Sequence, residues 1–127
     1  MSVIANPLSW FEIPVSDIQR AIAFYEYVFQ VTLEKHRSDT AEMAWFPMDG
    51  YSLGAPGGLV MRPGHMPTDS GVTIYLSTKE VTPTLKRAEE MGGTIVHPSR
   101  AIGEYGFTGF IKDTEGNTIG VHSRHHP

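Results

Sequence analysis

Trp10-Phe11-Glu12-Ile13-Pro14-Val15-Ser16-Asp17-Ile18-Gln19 sets the frame for the rest of the chain. Its first six residues alternate as a strand does, with Phe11, Ile13 and Val15 on one face and Trp10, Glu12 and Pro14 on the other. Pro14 has no donor and belongs where a ladder does not need one. Ser16 and Gln19 then form a capping-box pattern that opens a helix. Ile18, Ala21, Ile22, Tyr25, Val28 and Phe29 recur at helical spacing and carry that helix to about Gln30. Three strands are expected after it, at Thr32–Ser38, Glu42–Asp49 and Gly58–Arg62.

The same order then recurs. Residues 63–70, with two prolines, a glycine and polar neighbours, read as a connector. Val72–Ser77 alternates as a strand. A helix with Pro83 in its first turn places Leu85, Ala88 and Met91 along one side and ends at Gly92-Gly93. Strands are expected at Thr94–His97, Gly106–Lys112 and Thr118–Ser123. Val15-Ser16 matches Leu76-Ser77 before the helices, and Val31-Thr32-Leu33 matches Gly93-Thr94-Ile95 after them. An internal repeat of this length is the dominant architectural signal. A ferredoxin-like βαββαβ domain would leave two of these strands unused. The expectation is one α+β domain over 1–127, built from two βαβββ modules in tandem, about 8–63 and 71–124.

Composition narrows the function classes. The 127 residues suffice for one domain with a real core, and 40% are hydrophobic against 19% charged. A formal charge of −4 and the absence of a basic stretch exclude a nucleic-acid partner. With no cysteine there is no disulfide, thiolate metal site or cysteine nucleophile. The start, Met1 to Pro7, has no secretion signal, and no run is long enough to cross a membrane, so a cytoplasmic location is expected.

Local wording resembles a known family. Ile13-Pro14-Val15-Ser16-Asp17 followed by Ala23-Phe24-Tyr25, then Gly57-Gly58-Leu59-Val60-Met61-Arg62-Pro63, then Lys112-Asp113-Thr114-Glu115-Gly116-Asn117 are similar to segments of the vicinal oxygen chelate proteins. These include glyoxalase I, fosfomycin- and bleomycin-resistance proteins and ring-cleaving dioxygenases. The resemblance spans about residues 8 to 124 and implies a cup-shaped mixed sheet with helices outside and a small-molecule ligand inside. Alternation then turns Phe11, Ile13, Val15, Val72, Ile74 and Leu76 to the helices. Trp10, Glu12, Thr73, Tyr75, Thr118, Gly120 and His122 are left to face the ligand.

Active members of the family hold a divalent metal with His, Glu or Gln side chains on the first, fourth, fifth and eighth strands. The resemblance puts Trp10, Thr73 and Gly120 at three of those positions, and the fourth strand offers only Leu59, Val60, Met61 and Arg62. No metal and no other cofactor is therefore expected. A relocated divalent metal on Glu12 and His122 is the alternative, but two ligands make a poor site. Glu12 as a polar cavity group and His122 as a strand-end histidine is the plainer reading.

Other features carry less. Gly50-Tyr51-Ser52-Leu53-Gly54 matches a nucleophile-elbow pattern, yet the following Ala55-Pro56-Gly57-Gly58 cannot start the helix it requires. His65 falls in the connector and His125 and His126 in the tail. Met43, Met48, Met61 and Met66 suit core filling, and Glu89-Glu90 a solvated helix face. Arg62 ends an apolar strand near the cup and suits an anionic group or an ion pair. Two functions compete. In the first, the chain sequesters a small aromatic or cationic molecule as bleomycin-resistance proteins do, with Trp10, Glu12, Arg62, Thr73, Tyr75 and His122 as binding groups. In the second it is a lyase or isomerase related to lactoylglutathione lyase, with Glu12 as base and Tyr75 or His122 as proton donor. A homodimer is expected in either case.

Overall fold

The computed structural model describes residues 6–50 and 54–127, so the Ser52 of the nucleophile pattern and residues 1–5 lie outside it. Ten elements follow the expected order: β1 (Phe11–Pro14), α1 (Ile18–Phe29), β2 (Glu34–Arg37), β3 (Glu42–Trp45), β4 (Gly57–Met61), β5 (Tyr75–Ser77), α2 (Val81–Glu90), β6 (Thr94–Ala101), β7 (Phe107–Lys112) and β8 (Thr118–Ser123). They form two four-stranded mixed sheets, ordered β1-β4-β3-β2 and β5-β8-β7-β6, which repeat one topology. In each, the first strand runs parallel to the last and the other pairs are antiparallel.

Both helices lie on the same side of the two sheets and share one core. Ile13, Val15 and Leu59 of the first module and Val81, Leu85, Ile111 and Val121 of the second belong to a single buried cluster with Phe24, Tyr25 and Val28 of α1. The Arg87 guanidinium donates to the Val28 carbonyl at 2.9 Å, and Tyr27 to Glu90 at 2.9 Å, so α1 and α2 are tied side to side. Gly93 lies where this packing is tightest. A side chain there would meet the Lys112 carbonyl at 2.7 Å and the Phe24 ring at 2.8 Å. Among the described residues no helix is long and apolar enough to cross a membrane.

Three expectations need correction. The cap of α1 is Asp17, whose carboxylate accepts from the Arg20 N–H at 3.1 Å, and not Ser16 with Gln19. The reason is a tertiary contact: Glu115 already accepts the N–H groups of Ser16 and Asp17, at 2.8 and 2.9 Å. Val72 does not face a helix. It lies before β5, which is only three residues long, and is 94% exposed. The sixth strand continues four residues beyond His97, to Ala101, with two register shifts, the second of which takes it past Pro98.

Candidate functional site

The turn between β7 and β8 fixes one module against the other. The buried Asp113 carboxylate accepts from Tyr25 Oη at 2.5 Å, from the N–H groups of Glu115 and Asn117 at 2.8 Å each, and from Asn117 Nδ2 at 3.0 Å. Asn117 Nδ2 also donates to the Pro14 carbonyl at 2.7 Å, and its oxygen accepts from Thr68 N–H at 3.0 Å. Burial raises the Tyr25 hydroxyl well above its ordinary pKa, and the Asp113 charge adds to this, so Tyr25 stays a donor. Glu115 takes the guanidinium of Arg20 at 2.7 Å. Burial pushes the Glu115 carboxyl up, but Arg20, the N–H groups of Asp17 and Ser16 and the Thr114 hydroxyl outweigh this and hold it below the usual value.

Away from this turn the modules part. β1 and β5 are terminal strands of their sheets, and among the described residues they do not pair with each other. A cavity of about 810 Å³ opens between them, within the usual range for small-molecule sites. Its wall includes the unbroken runs 10–14 and 72–77, odd and even residues alike. A sheet face would contribute alternate residues only, so the cavity is bounded by strand edges. Phe11, Phe29, Phe46, Ile74 and Leu76 make its apolar side, against the common core.

Trp10, Glu12, Thr73 and Tyr75 all line this cavity. The Trp10 indole N–H donates to Glu12 Oε2 at 3.3 Å, and Arg62 Nη1 lies 3.3 Å from Glu12 Oε1. Both oxygens of the carboxylate are thus engaged, with Arg62 beside the cavity and outside its lining. On the open face of the first sheet Trp10 continues into an aromatic row: edge-on to Trp45 at 5.6 Å, which stacks on His36 at 3.6 Å. On the second, Tyr75 is half-exposed and edge-on to Phe110 at 5.5 Å. His122 is elsewhere. It does not line the cavity, and its Nε2 is 2.7 Å from the Tyr105 carbonyl of a short 3-10 turn at Gly103–Tyr105.

The family's metal positions do not fit a divalent cation in this chain. Trp10 offers an N–H donor that is committed to Glu12, and Thr73 offers one neutral hydroxyl. At Gly120 the Tyr75 ring lies over the α-carbon, and a Cβ there would meet it at 2.5 Å. Among the described residues no three His, Cys, Asp or Glu side chains converge as a metal site would require.

Three residues escape a reading of the sequence. Asn117 sits in a segment that reads as a turn, and nothing local says that its amide crosses to Pro14. Trp45 and His36 were readable in principle. The register that sets Glu12 opposite Gly58, and Gly58 opposite Trp45, puts them on the face of Trp10 once the strand order is known.

Comparison with known proteins agrees with this architecture. A glyoxalase-related enzyme from Fulvimarina pelagi has a TM-score of 0.65 at 15% identity, with 93% of this chain and 88% of that chain covered. A glyoxalase/bleomycin resistance protein from Albidiferax ferrireducens T118 has 0.68 at 14%, covering 92% and 98%. Glyoxalase I from Zea mays has 0.68 at 18%, covering 93% of this chain but 46% of its own. At these identities the likeness is one of fold. No curated protein sequence matches. The family model described as Glyoxalase/Bleomycin resistance protein/Dioxygenase superfamily matches residues 8–121, and the chain belongs to that superfamily.

Proposed function

We propose that this protein binds a small organic molecule, aromatic or cationic, in the cavity between its two modules, in the manner of a bleomycin-resistance protein and without a metal, and that it does so as a homodimer. The observation that carries the reading is that Trp10, Glu12, Thr73 and Tyr75, drawn from both modules, border one cavity of about 810 Å³. Trp10 and Tyr75 supply aromatic side chains to its wall, and Glu12 supplies the one charged side chain of the described lining. A lyase reading with Glu12 as base has less support. Trp10 and Arg62 occupy both its oxygens, which suits a fixed negative charge better than a group that must take a proton.

Titration with 1-naphthylmethylamine, followed by tryptophan fluorescence, tests this. A saturable change is expected, and Trp10→Ala should weaken binding about tenfold, the worth of one stacking or cation–π contact in a half-buried site. No saturable response in the unaltered protein, or equal affinity in Trp10→Ala, would overturn the reading.

A further inference from the structure

The cavity is bounded by two strand edges that pair with no other strand among the described residues. In β1 the N–H groups of Phe11 and Val15 donate toward β4, to the carbonyls of Pro56 and Val60. The peptide groups of Trp10 and Glu12 therefore point the other way, into the cavity. Pro14 points there too, and its carbonyl is the one that Asn117 satisfies. In β5 the Ile74 carbonyl accepts from Gly120, and Thr78 N–H donates to His122. Thr73, Tyr75 and Ser77 thus turn their peptide groups toward β1. Two rows of donors and acceptors border one slot, and a bare strand edge is a template for another strand.

Charge narrows the occupant further. The described lining contains Glu12 and no lysine, arginine, histidine or aspartate. A carboxylate in the slot would face Glu12 with no cation in the described lining, whereas an amine would share the Glu12 carboxylate with Arg62, which pairs with it at 3.3 Å from outside the lining. The run 10–14, which borders the slot, extends over roughly 16 Å, the length of a four- or five-residue strand. Around the edges the walls are apolar, from Phe11, Phe46, Ile74 and Leu76.

We propose that the slot between β1 and β5 takes a short, extended, apolar peptide, or a compound with amides at peptide spacing, which adds as a strand between the two sheets with its amino end at Glu12. The proposal rests on the reading of this cavity as a ligand site and names the chemistry of what fills it. A central strand uses every amide it has, alternate ones toward each edge. A ligand on one edge uses only half of them.

The probe is a valine- and tyrosine-containing tetrapeptide with a free amino end and a C-terminal amide, titrated into the full chain by calorimetry beside 1-naphthylmethylamine. Two further versions carry N-methyl groups on one or the other alternate set of amides. The tetrapeptide is expected to bind, each N-methylated version at least tenfold more weakly, and the version with a free carboxylate also more weakly. Equal binding of either N-methylated version, or tighter binding of the free acid, would overturn the strand-addition proposal. Binding of the naphthyl amine without the peptide would remove this proposal and leave the ligand-site reading standing. Failure of both probes would remove both.

Discussion

Asn117 ties three parts of the chain together through one side chain. Its amide links Pro14 of β1, Thr68 of the connector and Asp113 of its own turn, and the residue is 3% exposed. Asn117→Ala leaves the Pro14 carbonyl and part of Asp113 without partners in a buried place. The expected loss is about 3 kcal/mol, measurable by urea denaturation. Glu115 gives a second test, with a sign. Its folded pKa lies below the ordinary 4.5. Its charge therefore stabilises the fold fully above that value, and the contribution fades as pH falls through the lower, folded one. Glu115→Gln should lower Tm by a few degrees at pH 7, and the gap from the unaltered protein should narrow progressively as pH falls below 4.5. A gap that did not narrow as pH fell below 4.5 would mean that the contact is not ionic. Neither residue was readable as a fastener from sequence, because each acts on partners some fifty to a hundred positions away. What the sequence does carry is the turn itself, whose glycine and asparagine set its shape.

The elements were read correctly in kind and order, and the errors lie at their ends. Hydrophobic alternation and helical spacing are local and survive folding, so β1, α1, β4, α2 and β8 fall where periodicity puts them. Ends are settled by tertiary competition. Glu115, from the other module, takes the Ser16 N–H that Gln19 would have satisfied in a capping box, and the side-chain cap of α1 is Asp17. This makes a discriminating pair of substitutions. Asp17→Ala should cost about 1 kcal/mol, the usual worth of an N-cap, while Ser16→Ala should cost almost nothing, since its engaged group is the backbone N–H. Thermal unfolding of the two variants decides it, and the reverse order would restore the Ser16–Gln19 capping box. The candidate site was half readable by the same logic. Alternation puts Trp10, Glu12, Thr73 and Tyr75 on one side of their strands, because parity is a local property, but the cavity between the strands takes residues of both parities. Alternation could not tell that β1 and β5 would face each other unpaired, nor that His122 would turn to Tyr105, because both depend on how the sheets are set side by side.

The two sheets place their helices on one side and leave the other faces open, and this bears on how two copies would meet. Sheet edges are the first candidate, since β2 and β6 end their sheets. Both edges are poor templates. β2 reads Glu34-Lys35-His36-Arg37, charged at three of four positions, and β6 contains Pro98 and two register shifts. Val96 is the exposed apolar side chain of these edges, at 40%, and the most exposed aliphatic side chains among the described residues lie elsewhere, at Val72, Met66 and Leu8, of which Val72 and Leu8 border the inter-module cavity. A second copy would therefore cover the open faces and the cavity mouth, with the outer edges left in solvent. Light scattering at micromolar concentration should give twice the 14.0 kDa of one chain. Val72→Asp combined with Met66→Asp should shift the population toward the single chain, because each places a charge in an apolar contact. Lys35→Pro, which spoils the β2 edge, should leave the dimer intact. A single 14 kDa species in the unaltered protein would defeat the dimer, and loss of the dimer in Lys35→Pro alone would move the contact from the faces to the edge.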